Sequence, residues 1–132
     1  MVEHLGYQRD LGNALREFNR VLVPGGTLRV SVPDLTTLCE LFVHPGLDGK
    51  SRFKIMRMMY GGQSDEADFH YVGLTHEFLA EYLEGAGFTA VERVEDLGLF
   101  EDTSRLKVAG RLISLNVIAR KPDPAAAPQS AD

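Results

Sequence analysis

The chain has a single cysteine, no long apolar run and no excess of positive charge, and each absence removes a class of function. A lone Cys39 cannot form an intramolecular disulfide, so no disulfide framework holds the fold. No apolar stretch matches the hydrocarbon thickness of a bilayer, which argues against membrane insertion. The amino terminus has no basic stretch followed by an apolar one, so no secretory signal is visible and a cytoplasmic location is expected. With a formal charge of -5 and its bases scattered among acids, the chain offers no electrostatic footprint for nucleic acid. No repeat of solenoid length recurs.

What is present suits one compact domain: 132 residues, 44% hydrophobic and 25% charged, enough for a real core. From Asp10 onward Leu11, Ala14, Leu15, Phe18, Val21 and Leu22 recur at helical spacing, with Asp10 placed to cap the helix. "VPGG" must end it, because Pro24 fixes φ and Gly25 can take the positive φ of a type II turn. "TLRVSVP" then alternates Leu28, Val30 and Val32 against Thr27, Arg29 and Ser31, a strand closed by Pro33. Asp34 caps a second helix whose stripe is Leu35, Leu38, Cys39, Leu41 and Phe42, which makes Cys39 a small core residue. "SRFKIMRMMYGG" predicts a third helix with Phe53, Met56 and Met59 or Tyr60 turned inward, ended by Gly61 and Gly62.

Residues 63 to 74 show no period and are rich in acid and histidine, the pattern of a long functional or disordered loop. Thr75 caps a fourth helix carrying Phe78, Leu79, Tyr82 and Leu83, with Leu74 stapled against Leu79 and "GAGF" as its stop. "FTAVERVE" and "RLISLNVIARK" read as strands, separated by a polar hinge from Glu95 to about Lys107. Residues 122–132 form a Pro and Ala-rich tail that is expected to be disordered. Helices alternating with strands imply an α/β fold of about three strands with helices on the sheet's faces. The last two strands, joined without a helix, should pair antiparallel at its edge.

In this order, "MVEHL", "ALREFNRVLVPGGTLRVSVPDL", "YGGQ" and "DFHYVGLTHEFLAEYLEGAGF" resemble the carboxyl-terminal half of a class I S-adenosylmethionine-dependent methyltransferase, from residue 2 to about residue 120. That family has a strand ending in an acid and a histidine, a helix, an "LxPGG" turn into its fifth strand, and a final hairpin after "AGF". The resemblance implies an incomplete Rossmann-like methyltransferase sheet over residues 1–121. It also implies S-adenosylmethionine as cofactor and methyl transfer to a small hydroxyl, amine or sugar-like acceptor. Glu3 and His4 would then sit at the end of the fourth strand and line the pocket shared by cofactor and acceptor. His70, in the loop "ADFHYVGL" over that pocket, is implied as the catalytic group that receives the acceptor's proton, since imidazole titrates near neutral pH. Tyr60 and Gln63 are implied to bind the acceptor by hydrogen bonds. Plainer readings stand beside these: helix-end packing for Tyr60, a solvated loop for Gln63, a loop anchor for His70, and an exposed, frayed terminus for Glu3 and His4.

The same resemblance exposes a gap. The family's cofactor site depends on a first strand with a Gly-rich turn, where close backbone approach and a helix amino terminus accommodate the ligand. No Gly-x-Gly turn follows an early strand here, and "VPGG" lies between helix and strand in the reverse order. The expectation is a methyltransferase-family chain that is not competent alone, its other half supplied elsewhere or lost through truncation or a misassigned start. The alternative is a non-catalytic remnant that dimerises or binds a ligand. Strand 27–32 would lie inside the family's sheet, so its edge should seek a partner, and a homodimer is expected. Asp68, His70 and His76 are chemically able to bind zinc, but not at a recognised spacing, so no metal is expected; His76 should face water in the first turn of its helix.

Overall fold

The computed structural model describes residues 2–95, 107–108 and 111–125. A short 3-10 turn at Val2–His4 leads into helix α1, Asp10–Val21, and then strand β1, Thr27–Pro33. Helices α2, Leu35–Phe42, and α3, Gly49–Tyr60, follow. An irregular stretch connects them to helix α4, His76–Gly85, and strand β2, Thr89–Val94. Strands β3, Lys107–Val108, and β4, Arg111–Leu112, form a small antiparallel ladder before the last strand, β5, Ser114–Arg120. The polar hinge expected over 95 to 107 falls mostly on residues 96–106, and the expected disordered tail mostly on residues 126–132; both stretches lie outside the described residues.

The punctuation read from the sequence has a local cause in each case. Gly26 N–H donates to the Val23 carbonyl at 2.8 Å and Gly25 has φ 78°, the type II turn that Pro24 and Gly25 favour. Thr75 accepts a hydrogen bond from Phe78 N–H at 3.1 Å and so caps α4. At the far end of α4, Phe88 N–H bonds the Leu83 carbonyl and Gly87 N–H bonds the Glu84 carbonyl, with Gly87 at φ 96°. That is a Schellman close, and Phe88 packs in the same core as Leu83. Helix α1 departs from expectation: Arg9 holds the cap position and Asp10 is the first helical residue.

The fold is mixed α/β. Its three-stranded sheet has the order β1, β5, β2, with β5 antiparallel to both neighbours, so the last two long strands pair as expected. Thr27 lies opposite Arg120 and Pro33 opposite Ser114, while Val94 lies opposite Asn116. Being central, β5 is buried along both faces from Ser114 to Val117 and does not simply alternate. Leu115, Val117 and Ala119 join Val30, Val32, Leu11, Leu15, Leu79 and Leu83 in the main core, which α1 and α4 cover. Polar Asn116 is held by Ser31, whose hydroxyl donates to its Oδ1 at 2.7 Å, and it donates to the Glu95 carbonyl at 2.7 Å.

A second, smaller cluster joins Leu38, Leu41, Ile55 and Ile113, with Met58 and Met59 packed against it. Ile113 interrupts the expected long last strand: its carbonyl accepts from Asp34 N–H at 2.8 Å and its side chain goes to this cluster, so the stretch divides into β4 and β5. Helix α3 presents Ile55 to the cluster, leaving Phe53 exposed where an inward position was expected. Cys39 is exposed as well, and not a core residue, because α2 buries Leu38 and Leu41 instead. Phe78 on α4 is also exposed, while Leu79 and Leu83 carry the packing.

Candidate functional site

Three of the residues singled out in the sequence meet although 66 positions of chain separate the last two. His4 and His70 pack edge to face, their ring centroids 4.6 Å apart at an interplanar angle of 83°. His4 Nε2 stands 3.7 Å from Glu3 Oε1, and the side chains of His4 and Glu3 are 29% and 11% exposed. They are therefore not part of an exposed, frayed terminus: Val2 is buried in the main core and anchors the turn that carries them.

The loop after α3 brings His70 to this place. Gly61, at φ 94°, closes α3 through a 2.8 Å bond from its N–H to the Arg57 carbonyl. A Cβ there would collide with the carbonyl of Asp68, so the close approach of the two loop arms requires glycine. Across those arms Gln63 N–H donates to Asp68 O at 2.8 Å and His70 N–H donates to Tyr60 O at 3.0 Å. Beyond His70, Tyr71 N–H donates to Glu3 O at 2.8 Å, which ties the loop to the amino-terminal turn. The loop then reaches the carboxyl end of β1, where Leu74 bridges Asp34 in parallel.

The imidazole of His70 has a defined orientation. Its Nδ1 lies 2.9 Å from the Met58 carbonyl, which can only accept, so Nδ1 carries the proton and Nε2 of the neutral ring keeps a lone pair. His4 Nδ1 is buried and has no hydrogen-bond partner among the described residues. Asp68 belongs to the same neighbourhood. Bonds from the Ser64 hydroxyl, at 2.7 Å, and the Ser64 N–H, at 3.2 Å, hold its carboxyl below the ordinary value, against a smaller upward push from burial, and Gly62 N–H lowers it further.

Glu3, His4 and His70 each offer one ligand-type atom, and these atoms lie within 4.8 Å of one another. Tyr60 and Gln63 serve the loop: the Tyr60 ring is exposed and its carbonyl accepts from His70, while the Gln63 side-chain amide turns back to that carbonyl at 3.4 Å. His76 lies elsewhere, in the first turn of α4 as expected but half-buried beside Asp34 in a second cleft.

Two features escaped the sequence reading. A cleft of about 670 Å³ is lined by three of the four tyrosines, Tyr7, Tyr71 and Tyr82, together with Phe78 and Arg16; Tyr71 follows His70 in the chain, but Glu3, His4 and His70 do not line the cleft. The spacing of Phe78 and Tyr82, one turn apart on α4, was the available signal. Asp34, read as a helix cap, is a buried carboxylate with a side chain 3% exposed, paired to Arg93 at 2.8 Å and accepting from the Thr37 hydroxyl at 2.9 Å. An acid directly after a buried strand was its signal, but Arg93 is 59 residues away in the chain.

No protein-family model matches the chain, and no curated protein matches it. A solved structure from Bordetella parapertussis, described as a possible exported protein, is similar with a TM-score of 0.55 and 19% identity. The match covers 92% of this chain and 36% of that one, so the chain spans about a third of its neighbour's length. Such a likeness speaks for the partial α/β fold. The cytoplasmic location expected from the sequence is corrected here: the neighbour is described only as a possible exported protein, which points away from that expectation. Among the described residues no helix is long and apolar enough to cross a membrane.

Proposed function

We propose that this chain carries the acceptor side of a class I S-adenosylmethionine-dependent methyltransferase fold, with Glu3, His4 and His70 at the edge of its reaction pocket. The observation that carries the reading is the meeting of the "EH" pair with the histidine of "ADFHYVGL", beside the carboxyl end of β1. The strand after "VPGG" and the antiparallel pairing of the strand after "GAGF" with β5 agree with it. In this reading the acceptor is a small hydroxyl, amine or sugar-like molecule that approaches from the tyrosine-lined cleft. The neutral Nε2 of His70 then receives the acceptor's proton as the methyl group transfers. The cofactor's Gly-rich turn is not among these 132 residues, so turnover needs that element from elsewhere. The neighbour's possible export bears on this chain only as a question of where such chemistry would take place.

An NMR titration with S-adenosylmethionine tests the reading. Saturable shifts centred on Glu3, His4 and His70 are expected, at an affinity weaker than that of a site with its Gly-rich turn. No shift up to about 1 mM cofactor, a free energy of about -4 kcal/mol, would overturn cofactor contact by this chain. The second reading, a non-catalytic dimerising remnant, is favoured by the open outer edge of β1, which has no strand partner among the described residues. It predicts a homodimer in sedimentation, and a monomer at all concentrations would remove it.

A further inference from the structure

We propose that Glu3, His4 and His70 form a site for one divalent transition-metal ion of the zinc class, with a further coordination position open. The donor set is two imidazoles and a carboxylate, the mixture that suits zinc and its neighbours better than magnesium or calcium. The three ligand-type atoms already lie within 4.8 Å of one another. Bonds of about 2.0–2.1 Å in a tetrahedral site put ligand atoms about 3.4 Å apart. Closing on an ion therefore asks for movements of about an ångström, within reach of side-chain torsions.

Two observations beyond proximity point to an ion. The Nδ1–H of His70 is committed to the Met58 carbonyl at 2.9 Å, the outer bond that fixes the tautomer and ring plane of metal-binding histidines and leaves Nε2 as donor. His4 Nε2 stands 3.7 Å from Glu3 Oε1, and its other nitrogen, the buried Nδ1, has no hydrogen-bond partner among the described residues, so the ring has a polar atom that packing leaves unmet. Edge-to-face packing of the two rings does not by itself account for the orphaned His4 nitrogen.

The inference goes beyond the methyltransferase reading and does not rest on it, because an ion can bind without S-adenosylmethionine. Where both hold, His70 would hold the ion, which would bind the acceptor's oxygen at the open position and lower its pKa, and the proton would pass to solvent water because both His70 nitrogens are then engaged.

Titration of Zn2+ into the full chain by calorimetry, and of Co2+ by visible spectroscopy, tests the site without any cofactor or acceptor. The expected result is one ion per chain, with the ring resonances of His4 and His70 shifting on Zn2+ addition while those of His44 and His76 stay in place. His70→Gln and His4→Gln should each weaken binding by about tenfold or more, and His44→Gln should leave it unchanged. The ring resonances of the unaltered chain decide the matter should either variant fail to fold. No saturable binding, binding that survives both substitutions, or Zn2+ shifts confined to His44 and His76 would each overturn the site.

Discussion

The main core and the smaller cluster under α2 and α3 are built differently, and the candidate site lies between them. The main core is framed by β1, β5 and β2 and closed by a capped α4, so its buried leucines and valines are fixed by long-range pairing. The smaller cluster has four buried residues and leans on Ile113 from outside the sheet. Glu3 and His4 are anchored through Val2 to the first, whereas His70 hangs from Met58 and Tyr60 at the end of a helix that belongs to the second. Site geometry thus depends on the less heavily packed region keeping its place against the more rigid one.

Truncation in each region should separate their roles. Leu115→Ala, at the centre of the sheet, is expected to cost about 3–5 kcal/mol, and Ile55→Ala about 2–3 kcal/mol, in urea unfolding. Hydrogen exchange should sharpen the contrast: Ile55→Ala releases amides in α2, α3 and residues 61 to 70 while β1 and β5 stay protected. Uniform loss of protection in that variant would mean that the two regions unfold as one.

A smaller effect is expected at Gly61. Gly61→Ala meets both a positive φ and the Asp68 carbonyl, so it should cost about 1–3 kcal/mol and shift the His70 ring resonances more than those of His76. Unchanged His70 resonances would show that the loop arms do not set the histidine's position.

Smallest is the pH response of the same loop. The Asp68 carboxyl is held below its ordinary value of 3.8, chiefly by Ser64, so its contribution is complete above that value. As pH falls from 3.8 through the depressed folded value, the contribution is lost. Amides of Ser64 and Gln63 should therefore gain exchange in that acid window in the native chain, and Asp68→Asn should remove the dependence. A loop equally protected across the window in both chains would contradict this anchor.

Much of the fold was legible because its signals are local. Helical spacing in α1, alternation in β1, Pro24 with Gly25, Thr75 as cap and the "GAGF" stop each act within a few residues of chain, where sequence order and spatial order agree. Helix orientation was less legible. Phe53 and Ile55 both suit an inward place by type, and the choice of Ile55 was made by Leu38, Leu41 and Ile113, which come from other elements. Cys39 lost its expected burial in the same way.

The sequence by itself determined where the long helices, the strand β1 and the turns around them fall, because caps, glycines and apolar periods act over one or two turns of backbone. It also singled out Glu3, His4 and His70 as residues able to do chemistry. Only the tertiary structure decided that they meet, that one His70 nitrogen is taken by the Met58 carbonyl, and that Asp34 is buried against Arg93. Those outcomes depend on contacts between segments tens of residues apart, and neither period nor propensity along the chain encodes which carbonyl or ring will be the neighbour.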